Sequence, residues 1–191
     1  MQPLALMLIL WEDTEALAYL GDYCTPVKGD KQLLFPIVTV EVQHLASDVF
    51  AKRQNQHNAA IMVRNLRKLR QQAGMSEGEL KDKFDGIAHV ITISFTQTKL
   101  RICYCWSVVA ADGHLEFFQK SVASADVEQG LNSFQAMVDK IRNAIDWVTD
   151  FNKQWIQDDL AKLQPLVSQL PPLMPEVSVV GSSAESEVLD E

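Results

Sequence analysis

Glu41 is the residue whose type and placing most demand a chemical explanation. It stands in Phe35-Pro36-Ile37-Val38-Thr39-Val40-Glu41-Val42-Gln43, near the end of a run that is otherwise apolar and rich in β-branched residues. A carboxylate in such a run must be paired, bound to a cation or set at the exposed edge of a sheet, because a bare buried charge is strongly disfavoured. Gln43 lies two residues on, so in an extended chain it shares a face with Glu41. Strand ends are where α/β folds expose functional groups. An acid ending a strand is also ordinary structure, so Glu41 alone decides nothing.

The other reactive types carry weaker signals. His44, His57, His89 and His114 lack the paired or i,i+4 spacing of a zinc site and read as separate polar contacts. Cys103 and Cys105 sit two apart in a strand-like run, share a face and are badly placed to bridge one another. With Cys24 the count is three, and there is no C-x-x-C, which points to free thiols in a reducing, intracellular compartment. Arg64, Arg67, Lys68 and Arg70 form a basic segment that is either a phosphate track or a solvated helix face; the solvated face is the expectation. Trp106, Trp147 and Trp155 read as packing. P-loop, G-x-S-x-G and dinucleotide fingerprints are absent from the sequence.

The elements that must position these residues follow from periodicity. Residues 4–20 carry Leu6, Leu10, Leu17 and Leu20 near helical spacing. Residues 33–42 predict a central strand buried on both faces, with Pro36 near its start because proline cannot donate to the ladder. Ser47 or Asp48 caps a helix over about 48–73, whose core face is Ala59, Met62, Leu66, Leu69 and Ala73 and which Gly74 ends. Ser76-x-x-Glu79 matches a capping box for a short helix to Phe84. Strands are predicted over 87–96, 100–110 and 115–122, the last two joined at Asp112-Gly113. A helix over about 126–164 follows, stopped by Pro165. A buried strand, a crossover helix and further strands give an α/β (α+β) class: a mixed central sheet of four or five strands flanked by helices.

The 191 residues suit one well-cored domain, assigned to 1–170. The net charge of −8 excludes a basic footprint over the whole chain. Five acids and no Lys or Arg follow Leu170, so the charge falls to −3 for residues 1–170, and local basic patches still count. Residues 171–191 are expected to be a disordered acidic tail. The apolar run 4–11 is too short to span a bilayer, so no membrane association is expected. It lacks a basic leader, although Ala16 to Ala18 offers an Ala-x-Ala that leaves a secretory signal open. Beginning inside an apolar run suggests a truncated N-terminus.

The stretch from Phe35 to Gln43, followed by Arg53-Gln54-Asn55-Gln56-His57-Asn58, resembles an uncharacterised, mainly fungal domain family with a PD-(D/E)XK nuclease-like core. Its members show a buried strand ending in Glu-x-Lys and then a helix with an Arg-Gln-Asn-x-His-like segment. The likeness continues in order through Ile91-Thr92-Ile93-Ser94, Leu100-Arg101-Ile102-Cys103-Tyr104, the Asp112-Gly113 turn and a Trp-containing C-terminal helix, covering about 33–164.

This resemblance implies a metal-dependent phosphodiesterase scaffold acting on nucleic acid, with Mg²⁺ as its cofactor. It implies that Glu41 is a metal ligand, that Gln43 stands at the lysine position, and that Gln54, with Asn55 and Asn58 beside it, lends a polar group. For the upstream metal-binding Asp that the resemblance implies, the candidates are Asp22 and Asp30: Asp30 has the look of a turn residue beside Gly29, and Asp22, taken as the metal ligand, follows Gly21 in a segment that could be a short strand. Two departures matter. Gln43 is neutral and cannot activate water as a cation does, and no convincing strand carries an upstream Asp. The resulting expectation is a degenerate or weakly active nuclease. The alternative is a non-catalytic protein-interaction domain on the same scaffold, and fold resemblance cannot choose between them.

Overall fold

The computed structural model describes residues 4–5, 35–43, 48–126 and 130–167. In chain order these form β1 (Leu4–Ala5), β2 (Val38–Gln43), α1 (Asp48–Gln72), α2 (Glu77–Lys83), β3 (Val90–Thr96), β4 (Lys99–Val109), β5 (Leu115–Asp126) and α3 (Leu131–Val167). The strands make one sheet in the order β1-β2-β3-β4-β5. Only β2 and β3 run parallel; the other neighbours are antiparallel. The mixed α+β sheet is therefore as its sequence indicates. Leu4–Ala5 differ from expectation: they pair with Val40 and Thr39 as a strand instead of opening a helix. A short apolar run fits either period, and here ladder pairing to β2 decides.

Burial fades along β2. Val38 and Thr39 are inside, Val40 and Glu41 are half-buried and Val42 is exposed. Phe35 enters the strand with φ +44°, a left-handed conformation that costs a bulky residue about 1–2 kcal/mol. Its ring is fully buried, and that burial, worth about 1.5–3 kcal/mol, offsets the strain.

Helix α1 buries Ala51, Asn55, Ala59, Met62, Val63, Leu66 and Leu69, one stripe at three- and four-residue spacing. Gly74, at φ +95°, ends it. Helix α2 has the full capping box: Ser76 Oγ accepts from the Glu79 N–H, and the Ser76 N–H donates to the Glu79 carboxylate. Strands β4 and β5 are joined by the five residues 110–114, in which Gly113 takes φ +87° and Asp112 Oδ1 accepts from the His114 N–H. A bulge between Ile102 and Cys103 leaves Val122 without a partner in the ladder. Beyond it β5 continues to Asp126, so α3 begins later than its periodicity suggests, after Gly130 at φ +93°. It also runs two residues past Pro165, because a proline in the final turn forfeits few helical bonds.

The two long helices lie on opposite faces. The α1 residues Gln56, Ala59, Ala60 and Val63 line a recess with Cys105 and Gln119, whereas Tyr104, which points the other way, stacks on Trp147 of α3 at 5.2 Å. The helices meet where β3 begins: the Arg70 guanidinium lies 3.8 Å from the centre of the Trp155 ring, and Trp155 meets Phe84 edge-on.

Candidate functional site

The parallel β2–α1–β3 unit sets the site. A crossover helix must start beyond the C-terminal end of its strand, so that end faces a crevice at the helix N-terminus. Glu41 lies there. Its register partner is Ser94, which pairs with Arg101, which pairs with Ser124. Residues paired across a ladder point to one face, so Glu41, Ser94 and Arg101 form a row spaced by about 4.8 Å per strand. Glu41 and Arg101 are half-buried, and both are engaged within the protein. Gln43 closes β2 in register with Thr96. Thr92, Ser94 and Thr96 make this face of β3 polar although all three are buried.

Asn55 comes inward from the second turn of α1. It is buried, and its Nδ2 donates to the Ile93 carbonyl at 3.2 Å, one residue before Ser94. Its Oδ1 is also buried and has no hydrogen-bond partner among the described residues. An amide oxygen left in this state loses about 1–3 kcal/mol of hydration. Gln54, the residue the resemblance assigns, is exposed, as are Lys52, Arg53 and His57. The phase of the helix decides between the two neighbours. The buried stripe runs Ala51, Asn55, Ala59, so that spacing was a signal for Asn55 in the sequence. Asp22 and Asp30 lie outside the described residues, as do His44 and Ser47.

Positive charge gathers beside the row. Burial pushes the Cys103 thiol up, while Arg101 and Lys52 are near enough to pull against that shift. Cys105, more deeply buried, is pushed up to about 12 by burial, against side-chain hydrogen bonding with Thr92 and Gln119. Neither thiol is a nucleophile at neutral pH. Gln119 Nε2 donates to Thr92 Oγ1 at 2.8 Å, which fixes the polar face next to β5.

The basic segment of α1 divides. Arg67 is buried, with Nε 3.2 Å from Asp85 and an Nη 2.7 Å from Glu77. Arg70 faces Asp159 at 3.8 Å. These two are structural cations, neither a phosphate track nor a solvated face; of the four, Arg64 is exposed and Lys68 half-buried. His89 is buried between the Phe84 carbonyl and Asn152.

Glu41 and the orphaned Asn55 Oδ1 are hard oxygen donors, the kind that Mg²⁺ accepts together with water and substrate phosphate. Among the described residues no group of three or more His, Cys, Asp or Glu forms a metal cage. The residues present fit a thin site with one protein carboxylate. The recess of about 310 Å³ beside Cys105 and Gln119 lies four residues along β4 from Arg101 and is separate from this row.

A family model described as a domain of unknown function, DUF7924, matches residues 12–160. No curated protein and no solved structure gives a significant match. Among the described residues no helix is long and apolar enough to cross a membrane.

Proposed function

We propose, for a chain that belongs to the DUF7924 family of unknown function, that the Glu41 end of the β2–β3 seam binds a phosphodiester. On this reading the scaffold is PD-(D/E)XK nuclease-like and acts weakly on nucleic acid. The observation that carries it is the row Glu41–Ser94–Arg101 at the end of a parallel strand pair, beside Asn55, whose Nδ2 bonds to Ile93, one residue before Ser94, and whose buried Oδ1 has no hydrogen-bond partner among the described residues. Glu41 and Asn55 would hold a divalent cation, which when bound supplies positive charge at the phosphoryl oxygens. Arg101 and Lys52 would meet the phosphate and orient it. Gln43 can hydrogen-bond a water but cannot lower its pKa, and a missing cation at a phosphoryl centre is worth several kcal/mol of barrier, so turnover is slow.

The second reading, a protein-interaction domain without catalysis, draws on the same neutral Gln43. Purified protein and its Glu41→Ala and Gln43→Lys variants are compared on single- and double-stranded DNA and RNA with Mg²⁺ and Mn²⁺. The expected result is slow cleavage that Glu41→Ala abolishes and Gln43→Lys accelerates. Absence of nucleic-acid binding and of cleavage in all three proteins would sink the proposal and leave the interaction domain.

A further inference from the structure

Strand β5 is twelve residues long and ends the sheet among the described residues. Most of it is exposed, including Phe117, Phe118 and Val122. A long edge with open backbone groups and large apolar side chains is a template for another strand. The hairpin determines which groups are open. The Ala110 N–H donates to the His114 carbonyl at 2.8 Å, so His114 turns its carbonyl towards β4. By alternation Glu116, Phe118 and Lys120 also bond to β4, while Leu115, Phe117, Gln119 and Ser121 present N–H and C=O outward.

Glu116 and Lys120 are exposed, four apart on one face, and neither has an ion-pair partner among the described residues. We propose that this edge pairs antiparallel with the same edge of a second copy, about a two-fold axis through Phe118. In that register Phe117 exchanges hydrogen bonds with Gln119, and Leu115 with Ser121. Phe118 faces its own copy and Glu116 faces Lys120, twice, at the narrow positions where side chains come closest. Other registers forfeit this match. Centring on Phe117 or Gln119 sets a charge against Phe118, and centring on Glu116 or Lys120 sets like charges together. The bulge at Val122 ends the regular stretch just beyond Ser121. The interface is isologous, and its axis stands normal to the sheet, so both α1 layers share one side of a continuous sheet.

The test is sedimentation equilibrium on the full chain at low and high salt. Wild type is expected to dimerise, more tightly at low salt. Glu116→Lys and Lys120→Glu should each weaken the dimer by about tenfold, and the double swap should restore it to within about threefold. Both side chains are exposed, so thermal melts by circular dichroism should match wild type at concentrations low enough for every protein to be monomeric. A monomer at every concentration overturns the proposal. So does a dimer that ignores both reversals, or one that the double swap does not rescue.

Discussion

Lowering the pH from 7.5 to 5 should destabilise the protein through one buried ring. His89 stacks on Phe84 at 3.8 Å between centroids, with Nε2 3.2 Å from the Phe84 carbonyl and Nδ1 3.1 Å from Asn152 Oδ1. Asn152 cannot turn: its Nδ2 donates to the His89 and Val148 carbonyls, and its Oδ1 accepts from Trp155 Nε1. A neutral ring donates to only one of the two oxygens, so both favour the imidazolium. Burial opposes it more strongly, nearby Arg70 adds to the opposition, and the result is pushed down to about 4 from 6.5. The folded pKa is depressed, so the unfolded chain binds the proton first as pH falls. The associated stability is present above pH 6.5 and drains away towards pH 4. A gap of 2.5 units corresponds to about 3 kcal/mol in the limit, and about 2 kcal/mol is lost by pH 5. Urea unfolding of wild type and His89→Leu at pH 7.5, 6 and 5 measures it. The leucine variant is less stable at pH 7.5, by about 1–3 kcal/mol, because the ring's hydrogen bond to one of the two oxygens is lost. The gap between the two proteins should narrow by about 2 kcal/mol at pH 5, with carboxylate titration cancelling in the difference. A gap that stays constant would show that the ring does not titrate as its burial requires.

Two further predictions follow from the interior. Arg67→Met strands the Asp85 carboxylate, whose side chain is 3% exposed, and should cost about 3 kcal/mol. Glu77→Gln, at a side chain 61% exposed, should cost under about 1 kcal/mol; equal effects in urea titrations would contradict the assignment of Asp85 as the dependent partner. Cys103 and Cys105 should resist a thiol-disulfide reagent at pH 8 in the native protein and react after denaturation, read by peptide-resolved labelling. Reaction of either in the native state would show that this face opens.

What was legible in the sequence was mostly local. The Gly74 stop, the Ser76–Glu79 box and the Asp112-Gly113 turn each depend on a few adjacent residues, and the structure has all three. The run that places Glu41 on a strand was equally plain. Residues decided by distant partners were not. Arg67 and Arg70 looked like half of a solvated face because Asp85 and Asp159 belong to segments brought near only by the fold. Gln54 and Asn55 differ by one step of helix phase, and a polar residue in a buried stripe is easily passed over in favour of its exposed neighbour. The row from Glu41 to Arg101 crosses three strands. It depends on registers that no short stretch of sequence encodes.

The same row has a consequence for the order in which the protein folds. Strands β3, β4 and β5 are joined by tight connections, so their contacts close small loops and form early. Strand β2 pairs with β3 only across two intervening helices, a much larger loop whose closure is entropically dearer. During synthesis the Glu41 strand emerges before β3, yet must wait for residues 90–96 before its parallel ladder can form. The meander is thus the natural nucleus and the β2–β3 seam a late arrival. Hydrogen exchange should find the amides of β2 opening at lower free energy than those of β4, so the segment holding the site comes apart while the rest of the sheet still stands.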